Sequence, residues 1–405
     1  MPDRGWTDAA TPDAEEFLAE LGAAMVAANY PINLVRSTLR TSARAYGVPN
    51  EQFLALPSYV LSGHSTDLAR ITRPGTAIRY DQTFPLSRLV KLARTAAITP
   101  ERGRAELDTI RHLPIRTPGW ARIGGYAVRC AGLALVVQPT PAALAVAAVL
   151  GLLVGVLRVV AGNNDALQQL LPTICAFLVA LVVFTAARHG GLDDSPLRVL
   201  APPLAVFLPG TAITVAVVEL SYRELISGAS RLIAGIIQIV QLAFGILAAV
   251  EISGGVDLAN HPANRLGAWA PWLGVAVYAI GLVLDLAPPR SALPWMLAML
   301  YAAYAGQRLG AVLGIQAGGF TGGVVLTVAA LTCAGHRGAP SAITILWPGF
   351  WLLVPGSLGM IGITELVGNP NGNTAFLTTL ITVVAISLGI QTALLAWRSA
   401  GLELR

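Results

Sequence analysis

Lysine is almost missing from this chain: Lys91 stands alone among 27 basic residues, and all the others are arginine. No Gly-Lys phosphate loop can be built, which excludes ATP hydrolysis by this polypeptide. Cysteine is scarce as well. Cys130, Cys175 and Cys333 each lie in an apolar run without CxxC or zinc-ligand spacing, so they read as small core residues, and neither a metal nor a cofactor is expected. Only three histidines, His189, His261 and His336, follow residue 122. They are widely separated, and no HExxH, GxSxG or paired-aspartate motif accompanies them. This argues against a membrane-embedded enzyme, and no catalytic residues are expected. His64 and Asp67 flank a strand end but lack a third partner for a triad.

Charge is the other shortage. Charged residues make up 12% of the chain and apolar ones 55%, against roughly 25% charged in an average soluble domain. An ordinary water-soluble enzyme is thereby excluded. Residues 1–122 hold 15 of the 27 basic and 12 of the 22 acidic residues, leaving 22 charges for the remaining 283 positions. The chain thus joins a polar part to a membranous one. Its net charge of +5 suits basic loops that orient a membrane protein, and no nucleic-acid partner is expected.

In the polar part, the apolar spacing predicts a helix over 14–28 after Asp13, and a second from Ile32 to Tyr46. The second sets Ile32, Val35 and Leu39 opposite Arg36, Arg40 and Arg44, a solvated face, and Gly47-Val48-Pro49 stops it. Short strands are expected in 53–63, 68–73 and the TAIRY stretch 76–80. Helices over 85–97 and 100–113 follow, the latter capped by Thr99 with Pro100 at its first position. This order describes a small α+β cytoplasmic domain over 13–120, after a flexible N-terminus at 1–12. The opening residues lack a signal-peptide pattern.

After Trp120 come ten stretches near the length a bilayer requires. They are 121–138, 141–161, 170–187, 197–220, 231–252, 269–286, 291–313, 317–334, 341–367 and 375–397. With both termini in the cytoplasm, seven arginines outside the polar domain face inward and four outward, as the positive-inside rule requires. The expected partner is the lipid bilayer.

The most informative feature is a repeat. PPLAVFLPGTAITVAVVEL from Pro202 aligns without gaps to PGFWLLVPGSLGMIGITEL from Pro348, matching Pro209-Gly210 to Pro355-Gly356, Thr211 to Ser357 and Glu219-Leu220 to Glu365-Leu366. The copies fall in spans four and nine, the same place in two sets of five. Five is odd, so the second set enters from the opposite side. The expected fold is therefore an α-helical polytopic membrane protein of two five-helix inverted repeats, 121–252 and 253–405, with broken helices.

Proline removes a backbone donor and glycine tolerates strained dihedrals, so Pro-Gly in mid-span breaks the helix. Open backbone at membrane depth lines protein or a wet cavity. The half-helices would then aim free N–H groups at a carboxylate. Pro209, Gly210, Thr211, Thr214, Pro355, Gly356, Ser357 and Gln238 are the candidate substrate contacts. Arg129 is the most deeply placed charge and costly unless paired or lining a pathway. With Arg231 and the symmetry-related Glu219 and Glu365, it is a candidate for gating or proton coupling. Glu251 and Asp285 fall at span ends and read as interfacial. The glycines Gly318, Gly319, Gly322 and Gly323 read as close-packing positions.

Three passages give the arrangement its resemblance to the threonine/serine exporter (ThrE) family. They are LGAAMVAANYPINLVRSTLRTSARAYGV (21–48), LPGTAITVAVVELSYRELISGASRL (208–232) and WLLVPGSLGM (351–360). In the second, Pro209, Gly210, Glu219, Gly228 and Arg231 carry the likeness. The chain departs from the family pattern at Val215, usually Asn, and at Glu219, usually Asp. The resemblance implies proton-coupled export of threonine and serine. A small dicarboxylate stays open as substrate, as does a passive channel as mechanism, and a homo-oligomer is compatible with the sequence.

Overall fold

A computed structural model describes residues 11–49, 52–63, 70–162, 164–190, 192, 194–254, 265–334, 336, 341–353 and 373–399. The N-terminal stretch to residue 10, His64, Asp67, Pro355, Gly356, Ser357 and Glu365 lie outside them. The chain forms two compact units: Met1–Ile115 with Val215–Leu232, and Arg116–Thr214 with Ile233–Arg405.

The first unit opens with α1 (Thr11–Ala27) and α2 (Ile32–Ala45). Phe17, Leu18, Leu21 and Met25 of α1 are fully buried, together with Ile32, Val35 and Leu39 of α2. Gly22 lets the two helices close, because a Cβ there would come within 2.7 Å of the Leu39 side chain. A three-stranded antiparallel sheet follows in the order β1 (Gln52–Leu56), β2 (Tyr59–Gly63), β3 (Arg70–Thr72). Leu56 pairs with Tyr59 around a Pro57-Ser58 turn, and Val60 pairs with Thr72. The expected strand over 76–80 is absent, since α3 (Tyr80–Ala93) begins ahead of Pro85. Arg79 is the reason: its N–H donates to Gln82 Oε1 at 2.8 Å, and its guanidinium holds Asp81 at 2.9 Å. These contacts nucleate the first turn early. Helix α4 (Pro100–Arg111) starts as Thr99 and Pro100 require, Thr99 Oγ1 accepting from Arg102 N–H. Tyr46 ties α2 to the α3–α4 connection by donating to the Ile98 carbonyl at 2.7 Å, and burial pushes its phenol up to about 12. The remainder of this unit is the end of α9 (Gly210–Ser221) and the start of α10 (Leu225–Ser253). Arg223 turns the chain between them at φ 61°.

The second unit is all helix. It contains α5 (Gly119–Val136), α6 (Pro141–Ala161), α7 (Asp165–Arg188), α8 (Pro196–Leu204), α11 (Ala270–Leu286), α12 (Leu293–Gly310), α13 (Ile315–Ala334), α14 (Ala342–Leu353) and α15 (Asn373–Ser399), with the remaining parts of α9 and α10. Among the described residues, α6, α7, α10 and α13 are each long and apolar enough to cross a membrane, and the bent pair α8–α9, taken as one span, makes a fifth. Ten were expected. Helix α5 is interrupted by arginine, α11 has 17 residues, and the described part of α14 stops at Leu353. Outward-facing side chains are aliphatic, Val149 and Val160 on α6 and Ile233 and Val240 on α10 among them. That inverts the surface of a soluble protein and suits lipid as the solvent. The chain is a multi-pass helical membrane protein.

Glycine seams draw these helices together. Gly125 and Gly132 of α5 abut Leu284 and Tyr278 of α11, while Gly281 of α11 lies against the Arg129 backbone. Small residues permit backbone approach where no hydrophobic force separates helix from lipid. On α13, Gly319 and Gly323 meet Thr382 and Ile386 of α15, and Gly318 and Gly322 meet Gln307 of α12, so all four are packing positions.

Candidate functional site

Span four is broken. Helix α8 ends at Leu204, one 3-10 turn covers Ala205–Phe207, and α9 restarts at Gly210 with its axis bent by 59°. Pro209 cannot donate, so the ladder stops. The first helical bond of α9 is Ile213 N–H to Pro209 O at 2.9 Å. The amides of Gly210, Thr211 and Ala212 stand ahead of it, as the first turn of any helix leaves them. On the other side of the break, Gln238 of α10 donates from Nε2 to the Phe207 carbonyl at 2.8 Å. Gln238, a candidate substrate contact, thus gives its amide to an acceptor that the break orphaned.

A cavity of about 230 Å³ opens at this break, within the second unit. Leu208 and Gly210 reach it from the break, Arg129 from α5, Tyr304, Gln307 and Arg308 from α12, Trp351 from α14 and Thr382 from α15. Gln307 is oriented by its own bond, Nε2 donating to Leu353 O at 2.9 Å. Among the described residues, two arginines and no carboxylate line the space.

Behind the cavity wall, Arg129 is 4% exposed at its side chain and Asp285 2%. Arg129 Nη1 meets Asp285 Oδ2 at 3.2 Å, and Arg158 Nη1 reaches Oδ1 at 3.1 Å and Oδ2 at 3.2 Å. The Arg129 guanidinium also lies 5.1 Å from the Trp351 ring centre and 5.6 Å from that of Tyr278, while Arg158 sits 4.7 Å from Tyr126. Aromatic faces stabilise a desolvated cation. Helical spacing explains the meeting, because Tyr278, Gly281 and Asp285 share one face of α11. Asp285, one residue before the end of α11, is thus buried in protein. The short α11 and its glycine seam carry it inside, against two cations.

A second cluster lies in the first unit. Glu219 is fully buried. Its Oε1 accepts from the Ile32 N–H at 3.0 Å, and Oε2 forms an ion pair with Arg231 Nε at 3.2 Å. Ile32 opens α2, whose N-cap is Pro31 and offers no side-chain acceptor. Glu219 supplies the missing cap from 187 positions away, with its charge at the positive end of the helix. Glu224 closes the same cluster by pairing with Arg36 at 2.7 Å, and Arg231 Nη1 donates to Asn29 Oδ1 at 3.3 Å.

Of the first-repeat candidates, Gly210 lines the cavity and Pro209 makes the break. Thr211 is half-buried, and Thr214 is buried with its hydroxyl unpartnered among the described residues. Arg129 reaches the cavity, whereas Glu219 and Arg231 pair with each other. Sequence reasoning missed Asp285, Arg158, Gln307, Arg308 and Trp351. Only the adjacent Gln307-Arg308 pair near a span end carried a local signal.

Comparison with known proteins agrees with this architecture. Residues 16–253 match the family model ThrE, described as "Putative threonine/serine exporter". No curated protein and no solved structure matches the chain. The matched segment takes in most of α1, all of α2–α4, the broken span, Arg129 and Glu219, more than half of the sequence, and the chain belongs to the threonine/serine exporter family.

Proposed function

We propose that this protein is a secondary-active exporter of small amino acids, threonine and serine, moving them out of the cytoplasm at the expense of a proton gradient. Ten spans in two inverted five-helix repeats would carry it in a bacterial inner membrane, with both termini and the small α+β domain in the cytoplasm. The carrying observation is the cavity at the broken span. There Arg129 and Gly210, at the start of α9, would offer a carboxylate the charge and a donor it needs. Tyr304, Gln307 and Thr382 supply neutral groups for the hydroxyl and ammonium. The second-repeat partners would be Pro355, Gly356 and Ser357. Glu219 and Glu365 are the nominated proton carriers: protonating Glu219 would release both Arg231 and the start of α2, tying a proton to a movement.

Efflux of L-threonine from proteoliposomes tests the reading. Arg129→Gln is expected to lower binding by roughly ten- to a hundredfold, the range for a charge-assisted hydrogen bond. L-threoninamide, which lacks the carboxylate, should not compete. Equal competition by the amide, or full flux in Arg129→Gln, would exclude the carboxylate site. Glu219→Gln and Glu365→Gln both retaining gradient-driven flux would remove them from the coupling. A second reading is favoured by one observation, the two arginines without an acid among the described residues of the cavity wall. Succinate displacing threonine at lower concentration than serine does would select a dicarboxylate substrate.

A further inference from the structure

Arg129 and Arg158 share a single carboxylate, Asp285, and all three lie in the second unit. Among the described residues, two cations against one anion leave one positive charge unmatched, at a place where the Arg129 side chain is 4% exposed and isolated charge is costly. Only one of the three, Arg129, lines the cavity; Arg158 and Asp285 stand behind it. Arg158 keeps 21% of its side chain exposed, whereas Arg129, at 4%, meets open space at the cavity wall. We propose that Asp285 and Arg158 are a charge-setting pair, positioning residues that never touch the ligand but fix how strongly Arg129 holds its anionic group. This rests on the carboxylate reading of the cavity and deepens it. Arg158 draws Asp285 away from Arg129, so Arg129 is left short of a counter-anion and holds the carboxylate of the transported solute. Without Arg158, Asp285 would neutralise Arg129 outright.

The net charge of the triad makes the test. It is +1 as found, zero in Arg158→Gln, +2 in Asp285→Asn and +1 again in the double variant. L-threonine binding to the full chain in detergent is measured by titration calorimetry, with melting recorded for each protein. Arg158→Gln is expected to weaken binding about tenfold, the order for a unit charge acting over roughly 10 Å at an effective dielectric near 20. Asp285→Asn should tighten it, the double variant should return near the parent value, and Arg158→Lys should leave it unchanged. A purely structural role predicts that both single changes weaken binding and that the double variant is weaker still, which overturns the proposal. If Asp285→Asn does not fold, Arg158→Gln against Arg158→Lys decides: equal affinity in the two is the overturning result. Loss of binding in Arg129→Gln with none in Arg158→Gln sinks this inference alone, whereas unchanged binding in Arg129→Gln sinks the cavity reading itself.

Discussion

Asp285 and Glu219 are both buried acids on apolar helices, and they are neutralised in different ways. Asp285 receives two guanidinia and leaves positive charge over beside a cavity. Glu219 receives one guanidinium and the start of α2, which matches its own charge. An imbalance calls for a ligand, while a balanced cluster is a joint between chain segments. The same distinction separates the neighbourhoods. Around Arg129 the walls are aromatic and open to a void; around Glu219 every described neighbour is a chain element held in place.

Removing the acids should separate the clusters most sharply. Asp285→Ala leaves buried Arg129 and half-buried Arg158 without their anion, and breaking a buried pair in this way costs about 3–5 kcal/mol. Glu219→Gln keeps an oxygen for the Ile32 amide and loses only the charge, so about 1–2 kcal/mol is expected. Unfolding of the purified proteins in mild detergent, followed by tryptophan fluorescence, measures both. Equal losses would erase the difference between the clusters.

The glycine beneath Arg129 gives the next effect. A methyl at Gly281 would press into the Arg129 backbone, whereas one at Gly124 on α5 meets open space. Gly281→Ala should cost about 1–3 kcal/mol through overpacking. Gly124→Ala should gain up to about 1 kcal/mol from helix propensity alone. Matching signs in the same unfolding assay would show that the α5–α11 seam does not hold Arg129 in place.

How much of this was readable beforehand follows from where the physics is local. A Pro-Gly pair in an apolar run breaks a helix by its own covalent geometry, so the break at Pro209 could be seen in the letters. The depth of Arg129 was equally plain. Its partner was not: Asp285 lies 156 positions away at the end of a short helix, and only the packing of Gly281 and Gly132 turns that end inward. Glu219 was marked as an acid of interest from its spacing to Gly210. Its cap on Ile32 had no local sign beyond Pro31, which leaves α2 without a side chain to begin it. The early start of α3 was hidden for a different reason. Arg79 is an uncommon capping residue, and the Pro85 further along drew the boundary to itself.

Within the Glu219 cluster the two ion pairs should themselves differ, and this is the finest test of burial as the deciding variable. Arg36 and Glu224 are 32% and 14% exposed at their side chains, against 11% and 0% for Arg231 and Glu219. A partly solvated pair at 2.7 Å gains little over its separate hydration and is screened by salt. A double-mutant cycle over Arg36→Ala and Glu224→Ala is therefore expected to give a coupling of about 0.5–1 kcal/mol at low salt, falling toward zero near 1 M. The same cycle over Arg231 and Glu219 should be larger and almost insensitive to salt, because ions do not reach a carboxylate with no exposed surface. Equal salt sensitivity in the two cycles would mean that water enters the Glu219 pocket, and the balanced joint would then resemble the open Arg129 site after all.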